Sequence, residues 1–159
     1  MIARVLVTSL AMFSYPRRVQ FAETDPSGIV HFSWMFRYME EAEHALWRAA
    51  GLTIAGRGAP HAWPRVSAAF DFRRPLSYND EFIVEVRLEH VGRRSLRYAH
   101  TIVRGDTVIG TGTITTACVT TGEDGAMRAV ELPADVVPRL RAALRASDAP
   151  RQFSTFGSA

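Results

Sequence analysis

Residues 32–50 carry an almost unbroken helical repeat of apolar side chains, which constrains the fold more than any other segment. Apolar residues recur at the i, i+3, i+4, i+7 spacing of one helix face, and the charged residues fall largely off it. The apolar stripe is Phe32, Met35, Phe36, Met39, Ala42, Leu46, Trp47 and Ala50, and the residues off it are Arg37, Glu40, Glu41, Glu43, His44 and Arg48. Gly51 stands where a helix commonly ends with a positive φ. A stripe this wide must be covered by another layer of the protein.

Segments with the alternating pattern of β-strands follow the helix and predict that covering layer. Strands are predicted at 14–21, 65–73, 81–91, 94–104 and 107–120, with a short edge strand at 127–132 and a short helix at 133–144. Segment 65–73 is predicted to be half-buried, and Gly110 and Gly112 predict a bulge or a close backbone approach. One long helix against an antiparallel meander predicts an α+β fold.

The length of 159 residues predicts one domain with its core at about 14–132. Residues 1–13 are interpreted either as an extra strand or as the product of an upstream start codon. Residues 133–159 are predicted to form the short helix and a frayed tail. We find no run of the ~20 apolar residues that a membrane-spanning helix needs.

Charge and cysteine content narrow the possible functions. The net charge of +3 and the pI of about 9.6 suit a phosphate-bearing ligand, because no Lys/Arg run or recognition motif indicates nucleic acid. The single Cys118 excludes an intramolecular disulfide framework and favours a reducing, cytoplasmic setting. The five histidines are scattered without ligand spacing, so we expect no metal site.

The loop at 22–30 combines turn residues with a carboxylate directly before the helix. Pro26, Ser27 and Gly28 predict a tight, well-defined bend that holds Asp25. The free N–H groups at a helix start, with the positive end of the dipole behind them, would polarise a carbonyl placed there. The carboxylate could then attack the carbon or activate a water molecule. The alternative is that Asp25 is only an Asx-turn or capping residue.

The string FAETDPSGIVHFSWMFRYMEEAEHALWRAAGL resembles the start of the 4-hydroxybenzoyl-CoA thioesterase family of hotdog-fold proteins. That family shows an aromatic residue, an acid-x-Asp pair, a small stretch, Gly, two aliphatic residues and an aromatic-rich helix. The matching residues are Phe21, Glu23, Asp25, Gly28, Ile29 and Val30, and Phe32, Tyr38 and Glu40 occupy the helix positions. The resemblance implies a sheet of five or six strands wrapped around a central helix. It also implies a homodimer or homotetramer with active sites between subunits.

The resemblance also assigns roles within the motif. Asp25 matches the nucleophile or general base, and Phe32 matches the residue whose backbone N–H binds the thioester carbonyl oxygen. Some relatives carry a histidine at the Phe32 position, whereas here His31 lies one place earlier, so it is predicted to be a surface residue of the first turn or a residue of the pocket rim. Gly28 and Val30 are expected to contribute to substrate binding.

Charged residues outside the loop have two interpretations each. Glu40 matches an acidic helix position and is a candidate catalytic residue, or it forms a surface pair with Arg37 or His44. Arg93 and Arg94 match a basic pair that contacts the phosphates of coenzyme A in a relative. Alternatively, they belong to a charged hairpin that protects a sheet edge from aggregation.

The expected function is an acyl-CoA thioesterase that needs no metal or redox cofactor and takes coenzyme A as part of its substrate. Two alternatives stay open: a non-catalytic acyl-CoA or acyl-carrier binder, and a hotdog hydratase or dehydratase. The hydratases usually place a histidine in the loop and an acid on the helix, and Asp25 in the loop argues against them.

Overall fold

The computed structural model describes residues 11–56 and 58–147. Its strands are β1 Phe13–Arg18, β2 Arg65–Phe72, β3 Glu81–Val91, β4 Ser95–Arg104, β5 Thr107–Ala117, β6 Val119–Thr121 and β7 Met127–Ala129, and its helices are α1 Trp34–Ala49 and α2 Val136–Ala146. Most of the predicted N-terminal segment and of the predicted tail falls outside the described residues. Within the described part, no helix is long and apolar enough to cross a membrane.

Five antiparallel strands form the main sheet in the order β1-β3-β4-β5-β2, and β6 pairs with β7 in a separate ribbon. The central strand β4 turns Leu96, Tyr98, His100 and Ile102 into the core, where each is 2% exposed or less. This is the face that the alternation in β4 predicted. The α+β arrangement and the five strands of the main sheet agree with the prediction of a sheet of five or six strands.

Helix α1 lies against the sheet and begins two residues later than predicted. The amides of Trp34 and Met35 donate to the carbonyls of His31 (3.0 Å) and Phe32 (3.3 Å), so a tight turn precedes the regular helix. The buried face comprises Met35, Tyr38, Met39, Ala42, Glu43, Leu46 and Trp47. Placing Phe32 on the buried stripe was wrong, since its side chain precedes the helix and is 61% exposed.

Glu43 was predicted to lie off the buried stripe and is instead fully buried. Arg65 of β2 lies beside the helix at this position, and its Nη2 is 3.2 Å from Oε1 of Glu43. Oε2 of Glu43 has no hydrogen-bond partner among the described residues. Burial therefore raises the pKa of Glu43 to about 7, although the Arg65 charge opposes the shift.

Gly112 allows the sheet to approach the helix closely. A Cβ at this position would lie 2.5 Å from Sδ of Met39 and 2.7 Å from the carbonyl oxygen of Ala69. A Cβ on Gly110 would lie 2.5 Å from the Phe70 ring. The predicted close backbone approach is confirmed at both glycines.

Helix α1 ends as its sequence predicted. Gly51 has φ of 66°, its amide donates to the carbonyl of Arg48, and the amide of Leu52 donates to that of Trp47, both at 2.9 Å. This is the Schellman pattern. Arg139 of α2 donates to the carbonyl of Gly51, which anchors α2 to the helix end.

Strand β2 is the edge of the sheet and is mostly exposed, although the sequence predicted it to be half-buried. Val66 is 62% exposed and Phe72 is 54% exposed, whereas Phe70 is partly covered and meets the Phe36 ring at 6.5 Å. Alternation correctly predicted a strand here. Alternation could not show that the outer edge of β2 would have no partner strand among the described residues.

Candidate active site

Asp25 lies in a tight hairpin just before helix α1. Its amide donates to the carbonyl of Ile29, and its carbonyl accepts from the amide of Gly28, both at 2.9 Å. Gly28 has φ of 81° and closes the three-residue loop 26–28. The tight bend predicted from the sequence is confirmed.

The Asp25 carboxyl group is partly exposed and forms an Asx-turn. Its Oδ1 accepts from the Ser27 amide at 2.8 Å and from the Ser27 hydroxyl. These bonds, with a smaller contribution from the His31 charge, lower the pKa of Asp25, so it is ionised at neutral pH. Its Oδ2 has no hydrogen bond to any described residue, which leaves one oxygen available for chemistry. The Asx-turn interpretation therefore holds without excluding a catalytic one.

The Phe32 amide is a donor without an acceptor in the described part of the chain. The amides around it are used: that of His31 donates to the Glu23 carbonyl at 2.9 Å, and that of Trp34 to the His31 carbonyl at 3.0 Å. Phe32 stands two residues before α1, where the positive end of the helix dipole favours negative charge. Its N–H is thus free to bind an oxyanion.

His31 and Val30 occupy different environments. The His31 ring is exposed, its Nδ1 lies 2.8 Å from the Ser33 hydroxyl, and its centroid is 4.5 Å from that of Phe32. Val30 is 4% exposed and its amide donates to the Leu76 carbonyl at 2.8 Å. His31 is therefore accessible to a ligand beside the loop, whereas the Val30 side chain belongs to the core.

Glu40 lies farther along α1, eight residues beyond Phe32, which corresponds to about 12 Å of helix. It is half-buried, and its carboxylate oxygens lie 3.2 Å from Arg37 and 3.6 Å from Arg65. It also lines an open cavity of about 560 Å³ together with Arg65 and His61. The predicted pair with Arg37 is present, and Arg65 is a second partner that the sequence did not indicate.

Arg93 and Arg94 lie in the turn before β4 and are exposed. Nε of Arg93 is 2.8 Å from Oε1 of Glu131. The Arg94 guanidinium has no hydrogen-bond or ion-pair partner among residues 11–56 and 58–147. Of these two arginines, Arg94 is therefore the one free to meet a phosphate group.

A buried charged network supports the loop, and sequence reasoning found only part of it. Glu23, one of the residues that match the family motif, is 2% exposed. Its carboxylate accepts from the Tyr38 hydroxyl at 2.6 Å, the Gln20 amide at 2.8 Å and Nη2 of Arg17 at 2.5 Å. The predicted apolar stripe did not include Tyr38, although its position three residues after Met35 could have placed it on the buried face, where a tyrosine hydroxyl usually needs a partner.

No group of three or more His, Cys, Asp or Glu residues in the described structure is arranged to hold a metal ion. Cys118 is fully buried, and burial raises the pKa of its thiol.

This chain resembles known proteins over most of its length. The thioesterase-like superfamily matches residues 19–142. A 4-hydroxybenzoyl-CoA thioesterase from Pseudomonas sp. (strain CBS-3) is 30% identical over 132 residues, covering 76% of this chain and 92% of the relative. A 1,4-dihydroxy-2-naphthoyl-CoA hydrolase from Nostoc punctiforme is 24% identical over 128 residues, covering 79% and 84%.

Solved structures match this chain over 80–82% of its length. A protein from Aquifex aeolicus superimposes with a TM-score of 0.74 at 32% identity, covering 80% of this chain and 98% of its own. A 4-hydroxybenzoyl-CoA thioesterase in complex with 4-hydroxybenzoyl-CoA gives a TM-score of 0.73 at 22% identity, covering 82% and 99%. The prediction of a hotdog fold is confirmed.

Proposed function

Because this chain belongs to the thioesterase-like superfamily and resembles a 4-hydroxybenzoyl-CoA thioesterase, we propose that it hydrolyses an acyl- or aroyl-CoA to the free acid and coenzyme A. One observation carries the proposal: the ionised Asp25 carboxylate and the free Phe32 N–H lie at the two sides of one hairpin before α1. This hairpin offers a nucleophile or base and an oxyanion donor, which thioester hydrolysis needs. The proposed reaction uses no metal or redox cofactor.

In the proposed mechanism the thioester carbonyl oxygen accepts a hydrogen bond from the Phe32 N–H. Asp25 either attacks the carbonyl carbon or removes a proton from a water molecule that attacks it. In the first case the C–S bond breaks to leave a mixed anhydride between the acyl group and Asp25, and a water molecule then hydrolyses this anhydride. In the second case the oxygen of the attacking water stays on the acyl carbon as the C–S bond breaks. In both cases the sulfur leaves as coenzyme A and takes up a proton that derives from the water, and the acyl group ends as a carboxylate. The negative charge that develops on oxygen is stabilised by the N–H and by the helix dipole.

Two of the relatives are named for aromatic CoA thioesters, so an aroyl group is the first substrate class to test. For the coenzyme A end, the exposed Arg94 guanidinium is the better candidate for a phosphate contact, with Arg93 available once it leaves Glu131. His31 and Gly28, both exposed beside Asp25, would border the thioester.

The hydratase alternative needs a histidine in the loop and an acid on the helix, and both side chains already have polar partners in this structure. The His31 ring is engaged with the Ser33 hydroxyl, and Glu40 is paired with two arginines. A non-catalytic acyl-CoA binder remains a distinct second candidate. It would bind acyl-CoA saturably without releasing a thiol.

We also propose that two chains pair along β2. Its outer edge is unpaired and carries the exposed Val66 and Phe72, and such edges are normally covered in native proteins. The family resemblance implies active sites between subunits, so pairing would complete the proposed site. Sedimentation should show a dimer or tetramer for the wild type and monomers for Val66→Lys. A monomeric wild type would contradict the proposal.

The decisive test is a thiol-release screen across short, long, branched and aromatic acyl-CoAs. Asp25→Asn should lower kcat by about 10²–10⁴-fold with a smaller effect on KM, because general-base catalysis typically contributes that much. Unchanged turnover in Asp25→Asn would remove Asp25 from the mechanism. Saturable binding without thiol release would favour the binder.

A further inference from the structure

We propose that Glu23 is a positioning residue of the active site, whose buried carboxylate fixes the Asp25 hairpin and the Phe32 amide against strand β1 and helix α1. This inference rests on the function proposed above and adds a residue that does not touch the substrate. Its basis is a set of hydrogen bonds that converge on one side chain.

The Glu23 carboxylate joins three parts of the fold. Arg17 reaches it from β1, the Tyr38 hydroxyl reaches it from α1, and the Gln20 amide reaches it from the start of the loop. Arg17 also donates to Glu41 of α1 at 2.8 Å, and its guanidinium carbon lies 5.3 Å from the centre of the Tyr38 ring. The network therefore ties strand, helix and loop through one buried charge.

The charge states of the network match this arrangement. The hydrogen bond with Glu41 raises the pKa of Arg17, which keeps the guanidinium protonated. Burial raises the pKa of Tyr38, so its hydroxyl stays protonated and donates to the carboxylate. Each group that the described residues direct at the Glu23 carboxylate is therefore a hydrogen-bond donor. A buried carboxylate requires such donors.

The backbone of Glu23 links this network to both proposed reactive groups. Its carbonyl accepts from the His31 amide at 2.9 Å, and Phe32 follows directly. Asp25 lies two residues after Glu23 on the same arm of the hairpin, opposite Ile29. A shift of Glu23 would therefore move the carboxylate and the oxyanion donor together.

Glu23 itself is too enclosed to act on a thioester. It is 2% exposed and both of its oxygens are engaged. Its effect on catalysis must pass through the loop, where a displacement of about 1 Å is enough to lower a rate by about 10²-fold.

Two tyrosine variants test the proposal with matched packing changes. Tyr38→Phe removes one buried hydroxyl from the Glu23 network. Tyr98→Phe removes another buried hydroxyl, which accepts from Nε1 of Trp47 at 2.9 Å and is not part of the network. Glu23→Gln removes the charge itself while keeping the side-chain shape.

We expect Glu23→Gln to lower kcat by about 10–100-fold with little change in KM, and Tyr38→Phe to lower it several-fold. Tyr98→Phe should retain wild-type kcat even if its Tm falls as far as that of Tyr38→Phe. Equal kcat losses in the two tyrosine variants, or wild-type kcat in Glu23→Gln, would overturn the proposal.

Hydrogen exchange of the loop amides separates this proposal from the proposed function. Glu23→Gln should speed exchange of the His31 and Asp25 amides relative to wild type, and Tyr98→Phe should not. Faster exchange in a protein without thioesterase activity would support the positioning role and reject only the thioesterase. Unchanged exchange in Glu23→Gln would reject the positioning role, whatever the activity.

Discussion

Replacement of Glu43 by glutamine should make the protein's stability less dependent on pH. The Glu43 carboxyl is fully buried, and burial raises its pKa from 4.5 to about 7. The folded state therefore holds a proton that the unfolded chain releases between these values. Stability must then fall as pH rises from 4.5 to about 7, and the loss persists at higher pH.

The magnitude follows from the two pKa values. With 4.5 for the unfolded chain and about 7 for the folded protein, raising the pH from about 5.5 to about 8.5 removes about 2 kcal/mol of unfolding free energy through this one group. Glutamine cannot titrate, so Glu43→Gln lacks this loss. The difference in unfolding free energy between the variant and wild type should therefore shift by about 2 kcal/mol in favour of the variant from the lower pH to the higher.

Urea unfolding of both proteins at the two pH values measures this difference at one fixed protein concentration. Glu89→Gln, which removes an exposed carboxylate paired with Arg97, controls for the loss of a charge. The same stability difference between wild type and Glu43→Gln at both pH values would show that the buried carboxyl does not take up a proton. If the variant gained more stability relative to wild type at the lower pH than at the higher, the pKa of Glu43 could not be raised by burial.

Two further predictions concern packing and the pH dependence of activity. Gly112→Ala should lower stability by about 1–3 kcal/mol, because its Cβ would lie 2.5 Å from Sδ of Met39; an unchanged denaturation midpoint would contradict the close packing. Since hydrogen bonds from Ser27 lower the pKa of Asp25, kcat/KM should stay constant down to acid pH and fall only below the ordinary aspartate value of 3.8. An acid limb centred near neutrality would assign the essential group elsewhere.

The sequence predicted the elements that depend on local pattern. Alternation in β4 identified its core face, and Gly51 marked the end of α1 with the expected positive φ. The motif around Asp25 predicted the bend because proline and glycine determine the backbone locally. These features need no information about distant parts of the chain.

The features that the sequence missed depend on contacts between distant segments. Glu43 was assigned to the solvent face because periodicity cannot reveal that Arg65, 22 residues later, would lie beside it. The exposure of Val66 follows from the position of β2 at the sheet edge, which alternation does not encode. Likewise, the partners of Glu23 come from β1 and α1 and meet only in the folded chain.

A crystal structure of the Asp25→Asn variant with an unhydrolysed aroyl-CoA tests the central claim most directly. We expect the thioester carbonyl oxygen at about 3 Å from the Phe32 nitrogen, with the carbonyl carbon facing residue 25. A thioester bound away from the Phe32 N–H, with its carbon out of reach of residue 25, would contradict the account.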